Sequence, residues 1–270
     1  MESLLSGIGA DGTMPVAASP GPGPNVIEIK HLKKSFIASD VLKDVSLDVV
    51  RGESLAVLGK SGEGKSVLIK CIVGLLEPDE GTIMLFGKDT STIGKKELSM
   101  LRRRIGFLFQ SAALYDSMSV RENLEFPLRS LKPRPSRSEA DERVREALQN
   151  VGLSEAIEKM PSELSGGMRK RVGLARTLIQ KPEIMLYDEP TTGLDPITAR
   201  EISTLILDVQ KALQTTSIII THDMECTKIT SNRIVVLEDG VCLAEGTFEQ
   251  LENSDDKQVK SFFEWQTGAH

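Results

Sequence analysis

Apolar residues recur along this chain at two different spacings. From Val26 to Phe36, and again from Val41 to Val50, they alternate with polar residues, which predicts two half-buried strands. Ser54 to Leu58 is a short apolar run that leads into Gly59. Ser66 to Leu76 is apolar on almost every face and predicts a buried helix. Gly81 to Phe86 predicts a further strand, Lys95 to Arg103 a charged helix, and Ile105 to Phe109 a strand ending at Gln110. Helix formers dominate residues 116 to 180. Within them Ser138 and Asp141 resemble a capping box, Gly152 supplies a stop, and Val144, Ala147, Leu148 and Val151 share one face. Ile184 to Tyr187 and Ser217 to Thr221 predict two more strands, separated by a helix at about Ile197 to Leu213. Such alternation predicts a parallel α/β sheet. Arg233 to Leu237 and Val241 to Ala244, joined by Glu-Asp-Gly, predict a hairpin. A short helix and a polar tail are expected from Phe248 onward. The chain has no internal repeat, so it carries one functional unit.

Composition changes this picture little. The 270 residues are 40% hydrophobic and 27% charged, as in soluble globular proteins. A net charge of −6 supplies no field for nucleic acid, and no nucleic-acid partner is expected. Cys71, Cys226 and Cys242 are far apart, which argues against a disulfide framework or a zinc site and for a reducing compartment. Their expected role is as small core residues. No apolar run reaches the roughly 18 to 20 residues of a membrane helix. The first 24 residues carry Glu2, Asp11 and a closing Gly-Pro-Gly-Pro, and read as a disordered tail rather than a signal peptide.

Chemistry enters at Gly59-Lys60-Ser61-Gly62-Glu63-Gly64-Lys65-Ser66, which fits G-x-x-x-x-G-K-[ST] in full. Glycines let backbone N–H groups approach a phosphate, and the following helix turns its positive end to the same anion. Lys65 would reach the β- and γ-phosphates of a nucleotide, and the Ser66 hydroxyl would hold Mg²⁺. Lys60 and Glu63 occupy variable positions, with side chains free to point outward. Ile184 to Tyr187 then ends in two carboxylates. Asp188 suits a magnesium anchor, and Glu189 suits a group that polarises the attacking water. Leu164-Ser165-Gly166-Gly167-Met168 precedes a helix expected at about Arg169; it is either an ordinary capped start or a second anion site. His222 follows a core strand, at the edge where α/β sheets bind ligands.

Together these residues resemble the ABC transporter ATPase family over roughly residues 26 to 247. In that resemblance Gly59 to Ser66 is the Walker A loop, Gln110 the Q-loop, Leu164 to Met168 the signature and Asp188-Glu189 the end of Walker B. Thr192 to Asp195 is the D-loop, His222 the switch histidine, and Phe36 an aromatic placed to stack on adenine. It implies a P-loop NTPase core of RecA-like type, an N-terminal antiparallel β subdomain and a helical subdomain at about 116 to 170. It further implies two ATP molecules with Mg²⁺ between two copies of the chain. Lys65, Ser66, Gln110, Asp188, Glu189 and His222 act from one copy, and Ser165, Gly166 and Gly167 from the other. Ser66, Gln110 and Asp188 are the implied magnesium set. It implies a chain peripheral at the cytoplasmic face of the inner membrane, with integral membrane permease subunits in separate chains as partners. Met168 stands where most of the family has glutamine. With Gln110-Ser-Ala-Ala-Leu114 and Tyr187 to Ile197 it is similar to the ATPases of Mla-type and Mce-associated phospholipid transporters. That finer resemblance implies lipid cargo and lipid-binding accessory proteins. Residues 248 to 270 form a C-terminal extension whose Val259, Phe262, Phe263 and Trp265 would dock either on a partner or on the chain's own domain.

Overall fold

A computed structural model describes residues 23–37 and 39–267, with side chains as far as Phe263. The expected N-terminal tail up to residue 22 and Trp265's side chain lie outside the described residues. Among the described residues ten strands join in one sheet, in the order β5-β4-β1-β2-β10-β9-β3-β8-β7-β6. Strands β1 (Asn25–Phe36), β2 (Ser39–Val50), β4 (Glu80–Leu85) and β5 (Lys88–Asp89) pair antiparallel, as the resemblance implies. Strands β3 (Ser54–Leu58), β6 (Ile105–Leu108), β7 (Ile184–Asp188) and β8 (Thr216–Thr221) run parallel, flanked by the hairpin of β9 (Arg233–Glu238) and β10 (Val241–Gly246).

Strands β3, β7 and β8 are buried at every position because both faces of the sheet are covered. Leu55, Val57, Ile184, Leu186, Ile218 and Ile220 point into one core, which they share with Leu68 and Ile72 of α1 (Lys65–Ile72) and with the antiparallel strands. Met185, Tyr187 and Ile219, the alternate positions, face a second core. That core is built with α3 (Val120–Leu128), α4 (Arg137–Asn150), α5 (Gly166–Leu178) and α6 (Pro196–Leu213). The short α2 (Lys95–Arg102) and α7 (Met224–Thr230) precede β6 and β9. Cys71 and Cys226 are buried, and loss of water pushes their thiols up to about 11 and about 12, which leaves them inert. Cys242 is only half-buried.

Three local expectations are corrected. The box expected at Ser138 lies two residues earlier: the Ser136 hydroxyl accepts from Glu139 N, and the Glu139 carboxylate accepts from Ser136 N at 2.7 Å. Both Ser and Glu of the motif are present there, whereas Ser138 already sits in the first turn. The signature helix begins at Gly166 rather than at Arg169, because Ser165 caps it by accepting from Met168 N at 3.2 Å. The segment from Phe248 opens with the expected short helix but does not continue as a polar tail. It holds α8 (Phe248–Glu252) and α9 (Lys257–Thr267).

Helix α9 packs on its own domain. Val259, Phe262 and Phe263 are buried with Ala56 and Leu58 of β3 and with Ile234 and Val236 of β9, and the Phe263 ring lies edge-on to Phe248 at 5.6 Å. Phe263→Ala therefore opens a cavity behind the strand that carries the glycine loop. Its expected cost is about 3 kcal/mol, a fall of roughly 6–12 °C in melting temperature. A thermal melt checks this; an unchanged melting point would place the ring outside the core.

Candidate active site

The C-terminal ends of β3, β8, β7 and β6 lie side by side. Leu58 is in register with Thr221, Asp188 with Ile220, and Leu108 with Tyr187. Sheet register thus collects the glycine loop, His222, Asp188-Glu189 and the Gln110 segment at one edge, although they are spread over 160 residues of sequence.

The loop from Gly59 joins β3 to α1. Gly64, the residue before α1, has φ 91° and ψ 1°. A Cβ there would lie 2.8 Å from Leu42 Cδ2 and 2.9 Å from Val41 O, so both conformation and space demand glycine. No side chain caps α1, which leaves its first N–H groups directed at an anion. Lys65 Nζ donates to Gly59 O at 2.7 Å and Lys60 O at 2.8 Å, which curls the loop around the ammonium. Burial pulls the Lys65 pKa down, against the opposing pull of Glu189, Glu63 and Asp188. The Ser66 hydroxyl donates to Asp188 Oδ1 at 2.9 Å. Burial raises the Asp188 pKa, an effect the Ser66 bond opposes. A desolvated carboxylate oxygen beside a hydroxyl oxygen is a hard donor pair that gains from a small cation. Among the described residues no cluster of three or more His, Cys, Asp or Glu could enclose a metal. Two oxygen donors, one of them a carboxylate, fit Mg²⁺, which takes few protein ligands and completes its shell with phosphates and water.

Glu189 follows directly. Its φ of 50° is left-handed, a conformation that costs a non-glycine residue about 1–3 kcal/mol and must be held by its surroundings. His222 Nδ1 lies 2.9 Å from Glu189 Oε2 and 3.0 Å from Oε1, and Thr192 Oγ1 donates to Oε2 at 2.9 Å. The carboxylate is thereby aimed, and both partners can exchange it for another acceptor. Asp195 caps α6 through Thr198 N at 3.0 Å, fixing the stretch from Thr192 to Asp195.

The remaining expected residues are placed differently. Gln110 lies just past β6, is exposed, and shares no hydrogen bond with the loop among the described residues. Beside it Ala112 and Ala113 both adopt positive φ (61° and 48°), so this segment is strained as well. Phe36 ends β1 at 46% exposure, with Lys34 Nζ over its ring at 5.6 Å. Ser165 is exposed while Gly167 is buried, and a Cβ on Gly167 would lie 2.5 Å from Thr198 Cγ2. Among the described residues neither Ser165 nor Gly167 shares a hydrogen bond or ion pair with Gly59 to Ser66. Of the variable positions, Lys60 is exposed, as expected, and Glu63 is half-buried. Glu63 accepts from Asp239 N at 2.5 Å and Lys60 Nζ is 3.6 Å from Glu238, so both reach the β9–β10 turn that packs beside the loop.

A family model described as ABC transporter matches residues 42–192, more than half of the chain. The chain belongs to the ABC transporter family. Among similar proteins, the "Probable ribonucleotide transport ATP-binding protein mkl" of Mycobacterium leprae is 40% identical over 258 residues, covering 96% of this chain and 72% of the relative. The methionine import ATP-binding protein MetN of Mesorhizobium japonicum is 38% identical over 232 residues, covering 86% of this chain and 63% of the relative. The ATP-binding cassette MJ0796, solved as a dimer in a post-hydrolysis state with ADP and Pi, matches at TM-score 0.75 and 32% identity over 82% of this chain and 98% of its own. Clostridium perfringens cbiO1, part of the ABC transporter complex cbiONQ, matches at TM-score 0.77 and 29% identity over 91% and 96%.

As the ATP-binding subunit of an ABC transporter, the protein binds ATP with Mg²⁺ and hydrolyses it. Sequence reasoning missed several members of the site. Thr192 was read only as the start of the D-loop, yet its hydroxyl steadies the Glu189 carboxylate. Thr191 Oγ1 donates to Asp223 at 2.8 Å and ties that loop to the residue after His222. Lys170 donates to the Glu189 backbone. None of these has a spacing signature; each acts through a contact made only in the fold.

Proposed function

We propose that two copies of this ABC transporter subunit close face to face on two ATP molecules. Each site takes its Walker loop from one chain and its Ser165-Gly166-Gly167 from the other. The observation that carries this reading is the open Ser165 helix start, unconnected to the chain's own phosphate loop. The dimeric MJ0796 cassette supports it. In this reading Lys65 and the backbone from Gly59 to Ser66 bind phosphates, Ser66, Gln110 and Asp188 hold Mg²⁺, and Phe36 stacks on the base. Glu189 orients and deprotonates the attacking water, and His222 fixes the carboxylate and contacts the γ-phosphate. Release of His222 and Thr192 from Glu189 is the local change that the γ-phosphate imposes.

The helical segment from 116 to 170 is the surface for membrane permease subunits in separate chains, and the strained Gln110 to Ala113 loop links it to the nucleotide. The cbiONQ complex supports separate permeases. No helix among the described residues is long and apolar enough to cross a membrane. The protein then sits at the cytoplasmic membrane face. For cargo, Met168 and its flanking motifs support phospholipid, with lipid-binding accessory proteins. The names of the mycobacterial and MetN relatives favour a second reading, import of a small metabolite.

Purification from detergent-solubilised membranes tests both. The expected result is co-purification with a permease whose ATPase coupling is stimulated by phospholipid. Stimulation by methionine or a ribonucleotide instead would favour the second reading, and recovery with no membrane partner would overturn the transport role.

A further inference from the structure

The signature helix also reaches into the chain's own hydrolytic centre. Lys170, on the second turn of α5, is 6% exposed. Its Nζ donates to the Glu189 carbonyl at 3.0 Å, its one hydrogen bond among the described residues. A buried ammonium with a single neutral acceptor is a costly arrangement, and cores of this kind are often as stable with an apolar side chain. The nearby anions Asp188 and Glu189 offset part of the cost, yet burial still pulls the Lys170 pKa down to about 8. The contact falls on a residue of left-handed φ, 50° at Glu189. The Glu189 N–H donates to Ile220 O at 2.8 Å, whereas its carbonyl has only Thr192 N, at 3.4 Å, besides Lys170. Without the lysine, the Glu189 carbonyl keeps only the long bond from Thr192 N, while its N–H and its carboxylate keep theirs.

We propose that Lys170 is a positioning residue that holds the Glu189 backbone and so couples the signature helix to the carboxylate. The coupling half of this inference rests on the paired-site reading above. There, the helix that docks on the partner's nucleotide is the one that sets the carboxylate acting on the chain's own nucleotide. Each chain thereby senses one site and acts on the other.

The test is steady-state ATPase kinetics and melting temperature of Lys170→Met and Lys170→Gln. Met matches the lysine stem without its donor, and Gln keeps an N–H that can reach the carbonyl. For Lys170→Met, kcat should fall about tenfold or more with KM for ATP within about twofold, while the melting temperature holds or rises. Lys170→Gln should recover most of the lost kcat. An unchanged kcat in Lys170→Met overturns the proposal. So does a kcat that falls together with melting temperature and is not restored by Gln. The coupling half is read in the Glu189→Gln background, where ATP-driven pairing should survive Lys170→Met; its loss would mean that Lys170 serves helix docking instead. If Glu189→Gln alone fails to pair, the paired site is wrong, and the kinetic comparison still decides whether Lys170 holds Glu189.

Discussion

Glu189→Gln stops turnover and leaves nucleotide bound. Removing a general base costs about 10²- to 10⁴-fold, and the amide cannot accept the proton of the attacking water, so kcat is expected to fall by that amount. The same substitution removes one charge from a pair of adjacent carboxylates and keeps the shape that Thr192 and His222 hold. ATP affinity should therefore stay within about threefold of the parent, because Glu189 acts in the transition state and not in ground-state binding. Phosphate release under saturating ATP, beside equilibrium binding of a fluorescent ATP analogue, separates the two quantities. Undiminished turnover would remove Glu189 from the role of base.

Lys65→Ala gives the opposite pattern. The ammonium is a buried, charge-assisted donor already placed between two loop carbonyls, and hydrogen bonds of that kind contribute about 1.5–3 kcal/mol each. Loss of its contact to the β- and γ-phosphates should weaken ATP binding by about 10- to 100-fold. Charge develops further in the transition state, so kcat/KM should drop by about 10³-fold or more. The carbonyls of Gly59 and Lys60 lose their donor, but the loop remains tied to the β9–β10 turn by Glu63 at Asp239 N and by Lys60 at Glu238. The fold should survive, with a melting temperature near that of the parent. Binding and turnover measured on the same preparation check this. ATP affinity equal to the parent's would show that Lys65 does not face the phosphates.

Which parts of this were legible in the sequence follows from the range of the interactions. Strands β3, β7 and β8 announced themselves because a strand covered on both faces carries a short continuous apolar run, and a run such as Ile184 to Tyr187 has no competing local reading beside Gly and Asp punctuation. The phosphate loop was legible because its function needs backbone, which restricts side chains at fixed offsets. The start of α4 was misplaced by two residues because Ser136 and Ser138 offer rival caps, and the choice depends on which serine has Glu139 three residues on. At α9 the apolar Val259, Phe262 and Phe263 mark a docking stretch in the sequence, but not whether a partner or the chain's own domain receives it. Only the fold shows that they cover Ala56, Leu58, Ile234 and Val236. Thr192, Asp239 and Lys170 were invisible for the same reason. Each meets its partner across 3 to 176 residues of chain, and such contacts leave no periodic trace.

The shared site is tested most directly by the mass of the Glu189→Gln chain in solution. Light scattering after size exclusion, with ATP and Mg²⁺, should show twice the mass of one chain. The mass should return to that of one chain without nucleotide, or when Ser165→Arg is added to block the open helix start. A Glu189→Gln chain that binds ATP and remains single, or that pairs equally well with Ser165→Arg, would contradict a site built from two chains.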